Sequence, residues 1–290
     1  MTITEWEALF PGDDACKAYL TRRRRPDGVV KCSRCGNDKV WELKGRPFHW
    51  QCNAYGPRDY RFSVLVGSVF ENTNIRLRQW FKVIYLMLIS KKGISSLQIQ
   101  RIIGFGSYRT ALYVTHRIRA AFTGPEFRKL IGIVEVGETY VGGKNKNRHA
   151  DKKTDGRGGA GKVIVMCAVE RGGNVVGPVV ARTDIQQAEA FINEVVSEKV
   201  DLVATDESGL YARVGKKWKH ASVNHMRGEY VRGNVHTCSI DGFWSLIKRG
   251  IIGTCHNVSR KYLLLFVAEF EWRLNNRDNA DIFGASVATC

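Results

Sequence analysis

Asp206 closes the apolar run Leu202-Val-Ala-Thr205 and is followed by Glu207-Ser208. That puts a carboxylate at the end of a short strand, where open α/β sheets gather their ligands. Thirty-five residues on, Asp241 lies in Val235-His-Thr-Cys238-Ser-Ile-Asp241-Gly-Phe-Trp244-Ser245-Leu-Ile-Lys248-Arg249-Gly250, a segment of helical pattern stopped by glycine. Cys238, Asp241, Ser245 and Lys248 fall at i, i+3, i+7 and i+10, one face of a helix. Carboxylates on a strand end and on a facing helix can hold the two metal ions, roughly 3.5–4 Å apart, of phosphodiester chemistry that forms no covalent enzyme intermediate. The plainer reading makes Asp206 a helix cap and Asp241 a surface charge.

A second group of ligating residues lies earlier. Cys32-Ser-Arg-Cys35-Gly36 is a complete zinc knuckle, and Phe48-His49-Trp50-Gln51-Cys52-Asn-Ala-Tyr55-Gly56 repeats its frame with Tyr55 where a fourth cysteine belongs. Tetrahedral zinc takes four such ligands. Three readings stand: a three-cysteine site completed by His49 or Cys16, a ribbon without metal held by its hairpin core, or no ribbon. His49 lies three residues before Cys52, an odd offset that turns it to the other face of a strand.

A third group is basic. Gly93 to Gly104 predicts a capped helix, Phe105-Gly106-Ser107-Tyr108 a turn, and Arg109 to Phe122 a second helix. Two short helices about a glycine turn suggest a helix-turn-helix with the second helix as groove reader, and Arg101 of the first helix, Ser107 and Tyr108 of the turn, and Arg109, Arg117 and Arg119 of the second would meet base edges and phosphates. Ahead of it, Trp80, Phe81, Ile84, Tyr85 and Leu88 keep helical spacing. At the amino end, Asp13 to Leu20 reads as a helix followed by Arg22 to Arg25, which would face solvent or phosphate.

The elements that must position the two aspartates follow Pro125. Ile131–Val141, Val163–Val169, Val175–Ala181 and Leu202–Ala204 read as strands, and Ile185–Val196 as a helix. The order describes an α/β sheet whose first three strands meander. Between the first two, Gly142–Lys162 carries seven Lys/Arg against two Asp and reads as a mobile basic hairpin tip. Within it, Gly156-Arg-Gly-Gly-Ala-Gly-Lys162 imitates a phosphate-binding loop. Val163 replaces the required Ser or Thr, and a strand follows where a helix must open, so that reading is rejected.

Composition agrees. Of the formal +17, residues 1–130 carry 23 Lys+Arg against 10 Asp+Glu and the remainder 22 against 18, so the excess of +13 points the first half at a polyanion. The eight cysteines come with no secretory pattern at the first residues, which reads as a reducing cytosol. The most apolar run, Trp80 to Ile89, falls well short of the roughly 20 residues of a membrane span.

Taken together, Phe48-His-Trp-Gln-Cys52, Tyr60-Arg-Phe-Ser63, Val69-Phe-Glu-Asn-Thr73, Ser90-Lys-Lys-Gly-Ile-Ser95, Gly104-Phe-Gly-Ser-Tyr-Arg-Thr110, Thr205-Asp-Glu-Ser208, Val235-His-Thr237, Phe243-Trp-Ser-Leu-Ile-Lys-Arg-Gly250 and Arg273-Leu-Asn-Asn-Arg277 resemble bacterial insertion-sequence transposases of the ISXO type, relatives of the Merlin elements. The resemblance implies a ribonuclease-H-like mixed sheet flanked by helices, preceded by a zinc-ribbon hairpin and a helix-turn-helix-like segment. Its divisions here would be 1–30, 31–70, 71–125 and 126–290. It also implies double-stranded DNA partners (terminal inverted repeats and target), a homo-oligomer on DNA, two Mg²⁺ ions and a place in the cytoplasm at the nucleoid. The metal triad would be position 137, Asp206 and the acidic position 241, with Lys248 assisting at the transposon end; zinc would sit on Cys32, Cys35 and Cys52.

The chain departs from that pattern at four positions. Gly137 stands for Asp, Cys238 for Asn, Asp241 for Glu and Tyr55 for Cys. On a strand, Glu138 points away from the face of position 137, and Glu135 shares that face about 6.6 Å away. Neither substitutes for a ligand at 137. Three functions follow as alternatives: an active transposase, a DNA-binding remnant without catalysis, or a zinc-ribbon adaptor on an unrelated α/β domain; the last fails if Asp206 and Asp241 lie together.

Overall fold

In the computed structural model the described residues are 1–54, 59–124, 128–142, 162–180 and 184–290. Tyr55, most of the basic Gly142–Lys162 segment with its phosphate-loop imitation, and Ala181 lie outside them. In chain order the main elements are α1 (Ile3–Leu9), α2 (Asp13–Arg24), β1 (Val40–Glu42), β2 (His49–Cys52), β3 (Tyr60–Ser63), α3 (Leu77–Ile89), α4 (Ser96–Ile103) and α5 (Tyr108–Ala121). There follow β4 (Ile133–Val141), β5 (Val163–Glu170), β6 (Val175–Val176), β7 (Val179–Val180), α6 (Ile185–Val195), β8 (Leu202–Asp206), β9 (His220–Val223), β10 (Val231–Arg232), β11 (Val235–His236), α7 (Cys238–Lys248), α8 (Leu263–Asn275) and α9 (Ile282–Thr289). They form two compact units, one of residues 1–91, 95–122 and 279–290, the other of 92–94 and 123–278.

The first unit is built around aromatic rings. Phe10 meets Phe81 edge-on at 5.2 Å between centroids, and Phe283 of α9 closes on both at 5.5 and 5.8 Å. Such tilted and edge-to-face pairs add about 0.5–1.5 kcal/mol each beyond the area they bury. The last helix therefore belongs to this unit's core, far in sequence from the helices it covers. The run Arg22–Arg25 does not simply face solvent. Arg24 Nη1 donates to the carbonyls of Val64 and Val66 at 2.6 and 2.8 Å, Arg23 pairs with Asp281, and Arg25 stacks 4.3 Å from the Trp50 ring centre. A guanidinium fork satisfies loop carbonyls that no helix or strand serves.

The second unit is a mixed sheet in the order β6-β5-β4-β8-β9, with β7 also on β5. β4 and β5 run antiparallel, whereas β8 runs parallel to β4 and β9 parallel to β8. A three-strand antiparallel meander followed by parallel additions on the first strand's other side is the ribonuclease-H-like arrangement, and the fold class read from the sequence holds. Val134 and Val136 pack with Ala188, Phe191 and Ile192 of α6 on one face. Cys167 and Val169 pack with Ile240, Phe243, Trp244 and Ile247 of α7 and Val267 of α8 on the other. A sheet covered on both faces explains why β4 and β5 read as nearly continuous apolar runs. The predicted strand over Val175–Ala181 is broken into β6 and β7 by Gly177-Pro178, because proline removes a ladder donor and bends the backbone.

One buried acid sets a pH dependence. Glu271 on α8 accepts from Gly177 N at 3.3 Å, and burial pushes its carboxyl up to about 7 from 4.5. Its folded-state pKa lies above the unfolded one, so stability is greatest below about 4.5 and falls as pH rises toward 7. Glu271→Gln is expected to be more stable than the native chain at pH 8 by on the order of 2 kcal/mol and nearly equal at pH 4.5. Urea midpoints that move in parallel at both pH values would count against it.

Candidate functional site

The parallel register pairs Ile133 with Leu202 and Glu135 with Ala204. Two more steps along both strands bring position 137 level with Asp206, and in-register residues of parallel neighbours point to one face. That face carries α7: a Cβ built on Gly137 would lie 3.3 Å from Cδ1 of Ile240 and 3.8 Å from Nε1 of Trp244. Asp241 sits in the first turn of the same helix. Burial raises the Asp206 carboxyl above its ordinary range and the charge of Asp241 adds to this, while the Ser208 amide (3.2 Å) and His225 oppose it. The charge of one aspartate thus bears on the other, which counts against the adaptor alternative.

The helix presents its charged face as its spacing requires. Cys238, Asp241, Ser245 and Lys248 are exposed, and Ile240, Phe243, Trp244 and Ile247 are buried. Lys248 is seven positions beyond Asp241, about 10.5 Å along the axis.

The residues around this pair were not evident from the sequence. Thr237 Oγ1 donates to Asp241 Oδ2 at 3.0 Å, so as an acceptor it faces Nε2 of His225 at 3.3 Å. Glu138 points to the opposite face, where Tyr211 Oη donates to its Oε2 at 2.5 Å. Burial raises Glu138, Tyr211 offsets this, and Asp206 raises it further. Glu135 is fully buried and caps α7: the amides of Ser239 and Ile240 donate to Oε2 at 2.7 and 3.0 Å, and Ser239 Oγ to Oε1 at 3.0 Å. Arg171 supplies the countercharge through Nε at 3.0 Å and Nη2 at 2.9 Å, with His236 Nδ1 at 3.3 Å. A carboxylate saturated by a helix amino terminus and a guanidinium is not available to a metal ion. The signal in the sequence was an acid inside an apolar strand, which must be paired if it is buried.

In the first unit, the Sγ atoms of Cys32, Cys35 and Cys52 all lie within 4.8 Å of one another, with Cys35 and Cys52 at 3.8 Å. The edge of a tetrahedron with Zn–S bonds of about 2.3 Å is about 3.8 Å, so the thiols fit zinc. The knuckle turn is closed by Gly36 N donating to Cys32 O at 2.9 Å, at a left-handed φ of 75° that suits glycine. His49 does not join them. Trp50 and Cys52 are buried on one face of β2, and the His49 ring is on the other with Nδ1 3.0 Å from Pro47 O. Cys16, buried in α2, also stands outside the group, so completion by either residue is overturned.

The predicted helix-turn-helix is α4 and α5. Gly104 ends α4 at φ 78°, and Ser107 Oγ caps α5 by accepting from Thr110 N at 3.1 Å. Arg101, Ser107, Tyr108 and Arg109 are exposed around the turn. Arg117 and Arg119 are not part of that surface. Arg117 donates to Glu71 O and Tyr113 Oη and lies over the Trp80 ring, and Arg119 is only 1% exposed. Ala111, Thr115 and Arg119 fall at i, i+4 and i+8, the buried stripe of α5, which places Arg119 inward.

With this geometry, comparison with known proteins is decisive for the sheet unit. Residues 129–275 match the model of the ISXO2-like transposase domain, and residues 11–54 that of the transposase zinc-ribbon domain. The chain belongs to the ISXO2-like transposase family. A protein of transposable element ISH50 from Halobacterium salinarum, described as uncharacterized, is 26% identical over 226 residues, covering 74% of this chain and 75% of that one. Among solved structures, the simian T-cell lymphotropic virus intasome in complex with the PP2A regulatory subunit B56 gamma aligns at 13% identity with a TM-score of 0.31. That alignment covers 58% of this chain and 63% of the other, a likeness too slight to bear on function.

A DDE domain of this family implies a divalent metal, but the carboxylates here fall short of a two-ion set. Position 137 offers no oxygen, Glu135 is committed to α7, and Glu138 to Tyr211. Among the described residues no three carboxylates gather at ligand distance, and the group that does is the three thiols. No helix of the described residues is long and apolar enough to cross a membrane.

Proposed function

We propose that this protein binds the double-stranded ends of a transposable element at the nucleoid, as a transposase-family homo-oligomer whose own strand cleavage and transfer are lost or nearly so. The alternative is an active, Mg²⁺-dependent transposase using Asp206, Asp241 and Lys248. The observation favouring the first is the bare backbone at Gly137, level with Asp206 and facing Ile240 and Trp244 where a third carboxylate is needed. Support for the DNA half is the exposed set of Arg101 in the last turn of α4 and Tyr108 and Arg109 at the start of α5, with Ser107 as the α5 cap. Arg, Tyr and Ser side chains there suit phosphates and base edges.

The test uses labelled duplexes carrying the terminal repeats of the element that encodes the chain. Binding without Mg²⁺-dependent nicking supports the remnant. Rapid nicking by the native chain supports the active enzyme, and no binding removes both.

For the ribbon, zinc on Cys32, Cys35 and Cys52 is expected at about one ion per chain, falling below about a tenth in Cys52→Ser. Metal analysis of the purified protein checks this; a native chain equally empty would assign the ribbon's stability to its hairpin core alone.

A further inference from the structure

The exposed face of α7 does not end at Lys248. Arg249–Thr254 forms a single π-helical turn, an irregularity that marks functional positions in many helices. Beside it is an open cleft of 460 Å³ lined by Lys92, Lys248, Arg249, Ile252, Gly253 and Thr254. Its ionisable lining is all basic, and Lys92 and Lys248 form no ion pair with any described residue. Lys92 is far away in sequence, yet its backbone is held against the turn. Thr254 Oγ1 donates to Lys92 O at 3.3 Å, and a Cβ on Gly250 would come within 2.8 Å of the same carbonyl and clash with the Phe270 ring. Only glycine allows that approach. Arg249 is anchored by Nε to Ser245 O at 3.1 Å, which leaves the rest of its fork toward solvent.

We propose that this cleft is a second phosphate site, in which Lys92 and Arg249 grip the backbone of a DNA strand passing along α7 about 10 Å beyond Asp241. The inference rests on the DNA-binding reading above. Two ammonium groups and a guanidinium attract a polyanion, and Ile252, 65% exposed, offers an apolar surface to a sugar.

The experiment is the salt dependence of binding of a 30-base-pair duplex to the full chain, for the native protein, Lys92→Gln, Lys92→Gln/Arg249→Gln and Lys199→Gln. Lys199 is an exposed lysine elsewhere and controls for the loss of one charge. Each lost phosphate contact lowers the slope of log K against log salt by about 0.9, so the double variant should lose about 1.8 with an unchanged melting temperature, and Lys199→Gln almost nothing. Native binding with equal slopes in all four proteins overturns the cleft while leaving the proposed function intact. No native binding overturns both. A parallel titration with inorganic phosphate separates the sources: phosphate binding that disappears in Lys92→Gln while the DNA slopes stay equal makes the cleft a small-anion site and overturns the assignment to a DNA strand.

Discussion

Gly137→Asp is expected to raise Mg²⁺-dependent cleavage and joining of a cognate transposon end by on the order of 10³-fold over the native chain. The new Cβ enters at 3.3 Å from Cδ1 of Ile240, which must yield by a few tenths of an ångström. That carbon is the end of a flexible side chain, so the strain is small. The carboxylate would arrive level with Asp206, itself already raised by burial and by Asp241. Three acids crowded together repel one another without a cation. The variant should therefore melt lower than the native protein in chelator and gain more from Mg²⁺, a readout independent of turnover. Equal rates for the two proteins on the same labelled end would show that position 137 is not the missing ligand.

Replacing Glu135 should have the largest effect on stability. Glu135→Ala is expected to cost about 3–5 kcal/mol, because it removes the fully buried acceptor of the first α7 amides and takes the carboxylate from half-buried Arg171. Glu135→Gln keeps the shape and one acceptor, so its cost should be smaller. Hydrogen exchange of the α7 amides, followed beside urea unfolding, reports the loosening of that helix along with global stability. A loss under about 1 kcal/mol in Glu135→Ala would mean that the cap does not hold α7. The same helix carries Asp241 and Lys248, so end binding that depends on Lys248 should weaken in the alanine variant even where the chain remains folded.

Much of the sheet unit was legible because its periods are simple. β4, β5 and β8 announce themselves as apolar runs, and α7 separates Cys238, Asp241, Ser245 and Lys248 from Ile240, Phe243, Trp244 and Ile247 by helical spacing alone. Alternation on β4 correctly turned Glu138 away from position 137. Alternation also turned His49 away from Cys52, and a helical count would have placed Arg119 on the buried stripe of α5. Where residue type was read without its period, as for Arg22–Arg25 and Arg117, solvent or DNA was expected and carbonyls or rings were found.

By itself, then, the sequence determined the family, the ribonuclease-H-like sheet, the three-cysteine knuckle and the absence of an acid at 137, since each depends on residue identity and on spacing along a single element. Only the tertiary structure decided that Glu135 is spent on the α7 amides, that Thr237 links Asp241 to His225, and that Lys92 roots in the turn after α7. Those pairings join residues from 4 to 162 positions apart. Which of them meet is set by packing across strands and helices, and no local period encodes that.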